Sequence, residues 1–268
     1  MDILFIDPVP AVLEEVERMT GKGIEFIPKE NLATYAMLKM ARKNMPSHLM
    51  YYKKEHDEII NYLIVHECGH LLRVFNCPEE QRLIPYSDQK TKYEALKKIE
   101  NEIVDLTRIL SEDKIANVID LWYNGIIRQV TNFPPDIMIE KWIFDKFPDL
   151  RPLQLKSLKK QLTEALSGLT ETVWRITPKT ILYASNVMNY VFFRILGLHI
   201  GQNFISEYNS TPYLAKGKEL ASITEKEYTN SHKGDNIMID RWACFLNVAD
   251  WFKWRGFEDV PPDYLENA

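Results

Sequence analysis

Glycine is scarce in this chain, with 10 in 268 residues, and cysteine is scarcer, with three. So few glycines in a chain rich in helix formers argue against a loop-built or disordered protein. Cys68, Cys77 and Cys244 form no C-x-x-C pair and are too few for a disulfide framework, which excludes a stapled secreted scaffold and points to a reducing compartment, the cytoplasm. Basic residues are not in excess: 33 Lys and Arg stand against 38 Asp and Glu, so the net charge is -5 and no nucleic-acid partner is expected. The local cluster Lys156 to Lys160 reads as a solvated helix face. The first ten residues, M-D-I-L-F-I-D-P-V-P, lack a basic start and a long apolar core, which predicts no secretory leader. Repeats and low-complexity tracts are also missing. The single long apolar run, Ile181 to Gly201, carries Asn186, Asn189, Arg194 and His199, which are costly in lipid, and so reads as a buried core helix with no membrane role.

What is present is an ordinary globular balance, 46 % apolar and 26 % charged, in a chain long enough to bury a sizeable core. Apolar spacing and breakers predict a helix over Val9–Met19, a strand over Gly23–Pro28, a helix over Asn31–Lys43 and a strand over His48–Lys53. A further helix runs from Asp57 to Phe75, and a polar loop from Glu79 to Thr91. Lys92 to Gln129 is helical, with a kink or new start at Ser111. The segment T-N-F-P-P-D, Thr131 to Asp136, reads as a break and a subdomain boundary. Beyond it lie helices over Ile137–Phe147, Leu153–Leu166, the apolar run and Ile239–Trp254. The expected fold is therefore α+β and mostly helical. A core with a small sheet spans residues 1–130, and a helical part spans 131–268.

The stretch N-Y-L-I-V-H-E-C-G-H-L-L-R-V-F, Asn61 to Phe75, sets two histidines and a glutamate in an apolar helix. Residues four apart on a helix lie within about 40° of each other, so His66 and His70 share a face and their imidazoles can bind one ion from the same side. Glu67 is offset from both and suits a general base beside a metal-bound water. A helix this apolar is buried, and buried imidazoles need partners, which a metal would supply. Cys68 points away from this face and reads as a packing residue.

H-E-C-G-H, preceded by Y-L-I-V and followed by L-L, resembles the active-site helix of zincin metallopeptidases over Ile59 to Phe75. The resemblance implies a Zn²⁺ cofactor held by His66 and His70, Glu67 as catalytic base, and a peptide or protein substrate. It implies a glycine, Gly69, where a neighbouring segment packs closely. It also implies an upstream edge strand, at His48 to Lys53, that pairs with the substrate main chain. The longer metzincin motif is excluded because Asn76 stands where its third histidine would be. A carboxylate on a later helix is then expected as third ligand, as in gluzincin-like families. Glu102, Glu112 and Asp113 compete for that place. Asp113, with Ala116 and Asn117 following at three and four residues, matches the family register of acid ligand, small residue and a residue that fixes a histidine. Size and register are similar to the ImmA/IrrE type of intracellular protease. Tyr123, Tyr183, His199 and His232 are candidates for stabilising an oxyanion by residue type. A different reading is a zincin-like module without catalysis, using the aromatics Trp242, Trp251, Phe252 and Trp254 as a partner surface.

Overall fold

A computed structural model describes residues 3–32, 34–261 and 264, so Met1 and Asp2 of the amino-terminal stretch and Ala33 lie outside the described residues. The fold is α+β and mostly helical. The amino-terminal part is helix α1 (Val9–Thr20), strands β1 (Ile24–Pro28), β2 (Ala36–Lys39) and β3 (His48–Tyr52), and helix α2 (Ile60–Phe75). Gly21, with φ of 71°, ends α1 in the left-handed conformation that glycine adopts without strain. The strand order is β1-β3-β2, with β3 parallel to β1 and antiparallel to β2.

Two expectations change here. Strand β3, expected at the sheet edge, is central, and the edge facing the rest of the molecule belongs to β2. The helix expected over Asn31–Lys43 is instead this short strand: Ala36, Met37 and Leu38 are all buried, and pairing with β3 satisfies their backbone. Four apolar residues at mixed spacing cannot tell a buried strand from a helix turn, and the tertiary partner decides.

After α2 come β4 (Leu83–Tyr86), α3 (Gln89–Lys98) and α4 (Glu100–Leu106). Strand β4 lies where a polar loop was expected. It pairs with β5 (Lys253–Gly256), from the region where the last helix was expected to continue. Between them lie α5 (Glu112–Lys146), α6 (Arg151–Ser167), α7 (Glu171–Ile176), α8 (Lys179–Ile200), α9 (Leu214–Glu227) and α10 (His232–Phe245). Helix α8 is long and apolar enough to cross a membrane, but 78 % of its most apolar stretch is buried within the fold, as befits a core helix.

Helix α5 is the spine. It starts after Ser111, where a new start was expected, and runs 35 residues without a break through Pro134 and Pro135. The expected interruption at Thr131 to Asp136 is absent. Proline there removes two backbone donors, at a cost that burial on several sides outweighs. Tyr123, Ile126, Val130 and Ile137 of α5 join the large core around α8, α9 and α10. Ile139 and Ile143, further along, join the second core formed by α1, the sheet and α2. The helix thus crosses position 131 and belongs to both cores.

Candidate metal centre

Helix α2 is buried on nearly every side, from Ile60 to Val74, between the small sheet, α1 and α5. Gly69 makes the close approach of α5 possible: a Cβ there would sit 2.7 Å from Cγ2 of Ile139. The contact brings Asp136 and Glu140, one turn apart on α5, against His66 and His70. One oxygen of Asp136, Oδ1, lies 3.4 Å from Nε2 of His66 and 3.0 Å from Nε2 of His70. One donor atom from each of the three residues lies within 4.8 Å of the others, so this group could hold a metal ion.

The surroundings prepare the histidine for that role. Nδ1 of His66 is 2.8 Å from Oε1 of Glu140. A carboxylate only accepts, so Nδ1 carries a proton and Nε2 is the nitrogen left for a metal on the Asp136 side. Glu140 is itself almost fully buried. Its charge is met by the hydroxyl of Tyr62 and, at 2.6 Å, by the amide of Gln154, which also donates to the Glu140 main-chain carbonyl. Hydrogen bonds of this kind fix the orientation that an imidazole would need to bind a metal.

Asp136 has no such relief. Its Oδ1 is buried and makes no well-formed hydrogen bond despite the nearby imidazoles. An orphaned carboxylate oxygen facing two imidazole nitrogens is a donor set that fits a divalent cation. Without a cation, protons take its place. Burial alone would hold the His66 pKa down, but the carboxylates of Asp136 and Glu140 outweigh it and raise it well above the usual value. Burial would likewise raise Asp136, but His66 and His70 bring its carboxyl down to about 2. A metal would compete with those protons for the same lone pairs.

Glu67 is buried beside the pair. Burial raises its pKa, while both histidines and the main-chain N–H of Leu38 on β2 hold it back. The outer edge of β2 therefore adjoins the glutamate. A cleft of about 500 Å³ opens from His70, lined by Met40 after β2, Arg73, Arg128 and His232 among others.

The expected third ligands lie elsewhere. Asp113 is exposed at the start of α5, 23 residues and about 34 Å along the helix axis from Asp136. Glu112 precedes it on the same turn, and its side chain lies outside what the structure describes. Glu102 accepts hydrogen bonds from the main chain and hydroxyl of Thr180, at 2.9 and 2.7 Å, at the start of α8. The signal that would have found the site is D-I-M-I-E: Asp136 and Glu140 share the four-residue register assigned to Asp113 and Asn117, with Ile139 in the place of Ala116. The close approach is supplied by a small residue on α2, Gly69, and not by one on the later helix.

Of the four candidates for an oxyanion donor, Tyr123 is buried and donates to the main chain of Trp251, and neither Tyr183 nor His199 lines the cleft. His232 does line it, but its Nε2 is 3.1 Å from the Leu83 carbonyl, which takes that proton. Burial lowers its pKa, so the neutral ring has no second donor. No protein-family model, curated protein or solved structure matches this chain.

Proposed function

We propose that the protein is a zinc-dependent metallopeptidase of gluzincin-like type, acting on a peptide or protein substrate. The observation that carries this reading is the convergence of His66, His70 and Asp136 beside a buried Glu67, with Glu140 fixing the first histidine. Two imidazoles and one carboxylate are the donor set of zinc hydrolases, and His66, His70 and Asp136 would hold the ion. Bound there, Zn²⁺ would supply Lewis-acid polarisation of a carbonyl and lower the pKa of a water towards ~7.

The chain's own residues do the rest. Glu67 would act as the base that accepts a proton from the attacking water and delivers it to the leaving amine. Glu140, held by Tyr62 and Gln154, accepts from Nδ1 of His66 and so leaves Nε2 as the nitrogen that would bind the ion. The outer edge of β2 receives the substrate main chain as an added strand. The three cysteines are unpaired, which suits a reducing compartment. The rival reading as a partner surface finds less support, because Trp242, Trp251 and Phe252 are core residues and the indole N–H of Trp254 is bound to Asp240.

The test compares Glu67→Gln with the parent chain for metal content and for cleavage of unstructured peptides. We expect unchanged zinc stoichiometry and a rate lower by about 10²–10⁴-fold. Equal cleavage by both forms, or a parent chain that binds no zinc, would end the proposal.

A further inference from the structure

Among the described residues, the cleft that opens from His70 has one charge with no counter-charge. Residues Asn124, Arg128, Thr131, Asn132 and Pro135 form a single stripe of α5 along its wall, spaced as one helix face. Two carboxamides, Asn124 and Asn132, flank Arg128 one turn away on either side, and neither can neutralise it. On the facing wall, Asp235 is the only acidic residue lining the cleft among those described. It is already bound by two nitrogens of Arg73, at 2.7 and 2.5 Å, and by the hydroxyl of Tyr228 at 2.5 Å.

Among the described residues, therefore, Arg128 has nothing to balance it. Among the described residues no carboxylate lies within ion-pair distance of it, and its Nε is buried without a hydrogen-bond partner. Burial alone moves its pKa, downwards, with no neighbouring charge acting on it. A guanidinium half-buried and unpaired is costly, and a fold retains one at no benefit to stability. A guanidinium also presents a planar fork of donors that matches a carboxylate.

We infer that Arg128 is a substrate-binding residue that anchors a carboxylate of the peptide in the cleft beside His70. This rests on the peptidase reading for the nature of the ligand. Arg128 and Asp136 are eight residues apart, about 12 Å along the helix axis. An extended peptide covers that length in about three to four residues. The carboxylate thus belongs to a residue near the bond to be cut. It is either the free C-terminus of the substrate or an Asp or Glu side chain, and the chemistry at Arg128 is the same for both.

The experiment measures binding and does not depend on turnover. The zinc-loaded full chain carrying Glu67→Gln is titrated by calorimetry with four peptides: N-acetyl-Ala-Phe-Ala with a free C-terminus, its C-terminal amide, N-acetyl-Ala-Glu-Ala amide and N-acetyl-Ala-Gln-Ala amide. At least one carboxylate peptide should bind about 10–100-fold more tightly than its neutral partner. Preference for the free terminus assigns the anchor to the C-terminus, and preference for Glu over Gln assigns it to a side chain. Adding Arg128→Gln should abolish the preference, while Arg128→Lys should keep part of it. The melting temperature of Arg128→Gln should equal or exceed that of Arg128, which a purely structural arginine would not allow.

Equal affinity within both pairs, including no measurable binding of any peptide, overturns the inference without need of the variants. So does a preference that survives Arg128→Gln. Cleavage of peptides by the parent without carboxylate preference would leave the peptidase reading standing and remove this one. Carboxylate preference without cleavage would do the reverse.

Discussion

Two buried ionic groups face the same cleft and are built on opposite terms. Arg73 and Asp235 form a closed pair: both guanidinium contacts are made, Tyr228 adds a third donor to the carboxylate, and Asn230 takes a further nitrogen of Arg73 at 2.7 Å. His66, His70 and Asp136 form an open group. Its outer face is closed by Glu140, Tyr62 and Gln154, but its inner face gathers two imidazole nitrogens around a buried carboxylate oxygen that makes no well-formed hydrogen bond. Stability favours the first arrangement, because each charge is met. The second is explained by something the group is meant to receive. The buried His48 of β3 gives the same contrast for a single ring. Its Nδ1 accepts from the Ala41 main chain at 2.9 Å and its Nε2 meets the Thr20 hydroxyl at 3.0 Å, so both nitrogens are used.

The comparison can be broken most severely at the open group. Asp136→Ala should lower metal affinity by about 10³-fold or more, beyond the ~100-fold that loss of an outer-shell partner costs, whereas Asp113→Ala should leave it unchanged. Metal titration of both variants decides this, and equal loss in the two would return the third ligand to the start of α5. The closed pair should respond in stability and not in metal binding. Asp235→Ala strands Arg73 and should cost about 3–5 kcal/mol in denaturant unfolding. Replacing both partners, as Arg73→Met with Asp235→Leu, should recover most of that, with zinc content normal throughout.

The smallest effect is expected at His48 and depends on pH. Burial first, then Lys22 and Arg42, bring its pKa from 6.5 to about 4. Between those values the unfolded chain binds a proton that the folded chain refuses. Stability from this residue is therefore full above pH 6.5 and is lost as pH falls towards 4, by about 3 kcal/mol. His48→Asn can keep the acceptor for Ala41 but has no proton to gain, so its unfolding free energy should vary less over that range. An unchanged slope would show that other groups govern acid unfolding.

The helical parts of the fold were legible wherever periodicity was long and uninterrupted, as in α1, α2, α6 and α8. Legibility failed where a local signal was strong and the tertiary context stronger. Pro134 and Pro135 announce a break, and packing against two cores carries α5 through them, so the local pattern does not show Asp136 as part of a long helix. Leu32, Tyr35, Leu38 and Met40 suggest a helix face, and pairing with β3 makes the middle of that segment the sheet edge. Strands β4 and β5 are four residues each and lie some 170 positions apart, too short and too distant for either to reveal the other.

His66, Glu67 and His70 were determined by the sequence alone, because their relation is internal to one helix and follows from 3.6 residues per turn. The tertiary structure alone decided that Asp136 faces them, that Glu140 sets the tautomer of His66, and that Arg128 meets no acidic partner among the described residues of the cleft. Each of these depends on where α5 lies against α2, and that position is set by the steric fit of Ile139 over Gly69 and by the burial of two separate cores. Contacts between side chains some 65 to 75 positions apart carry no local periodicity, so no pattern along the chain can announce them.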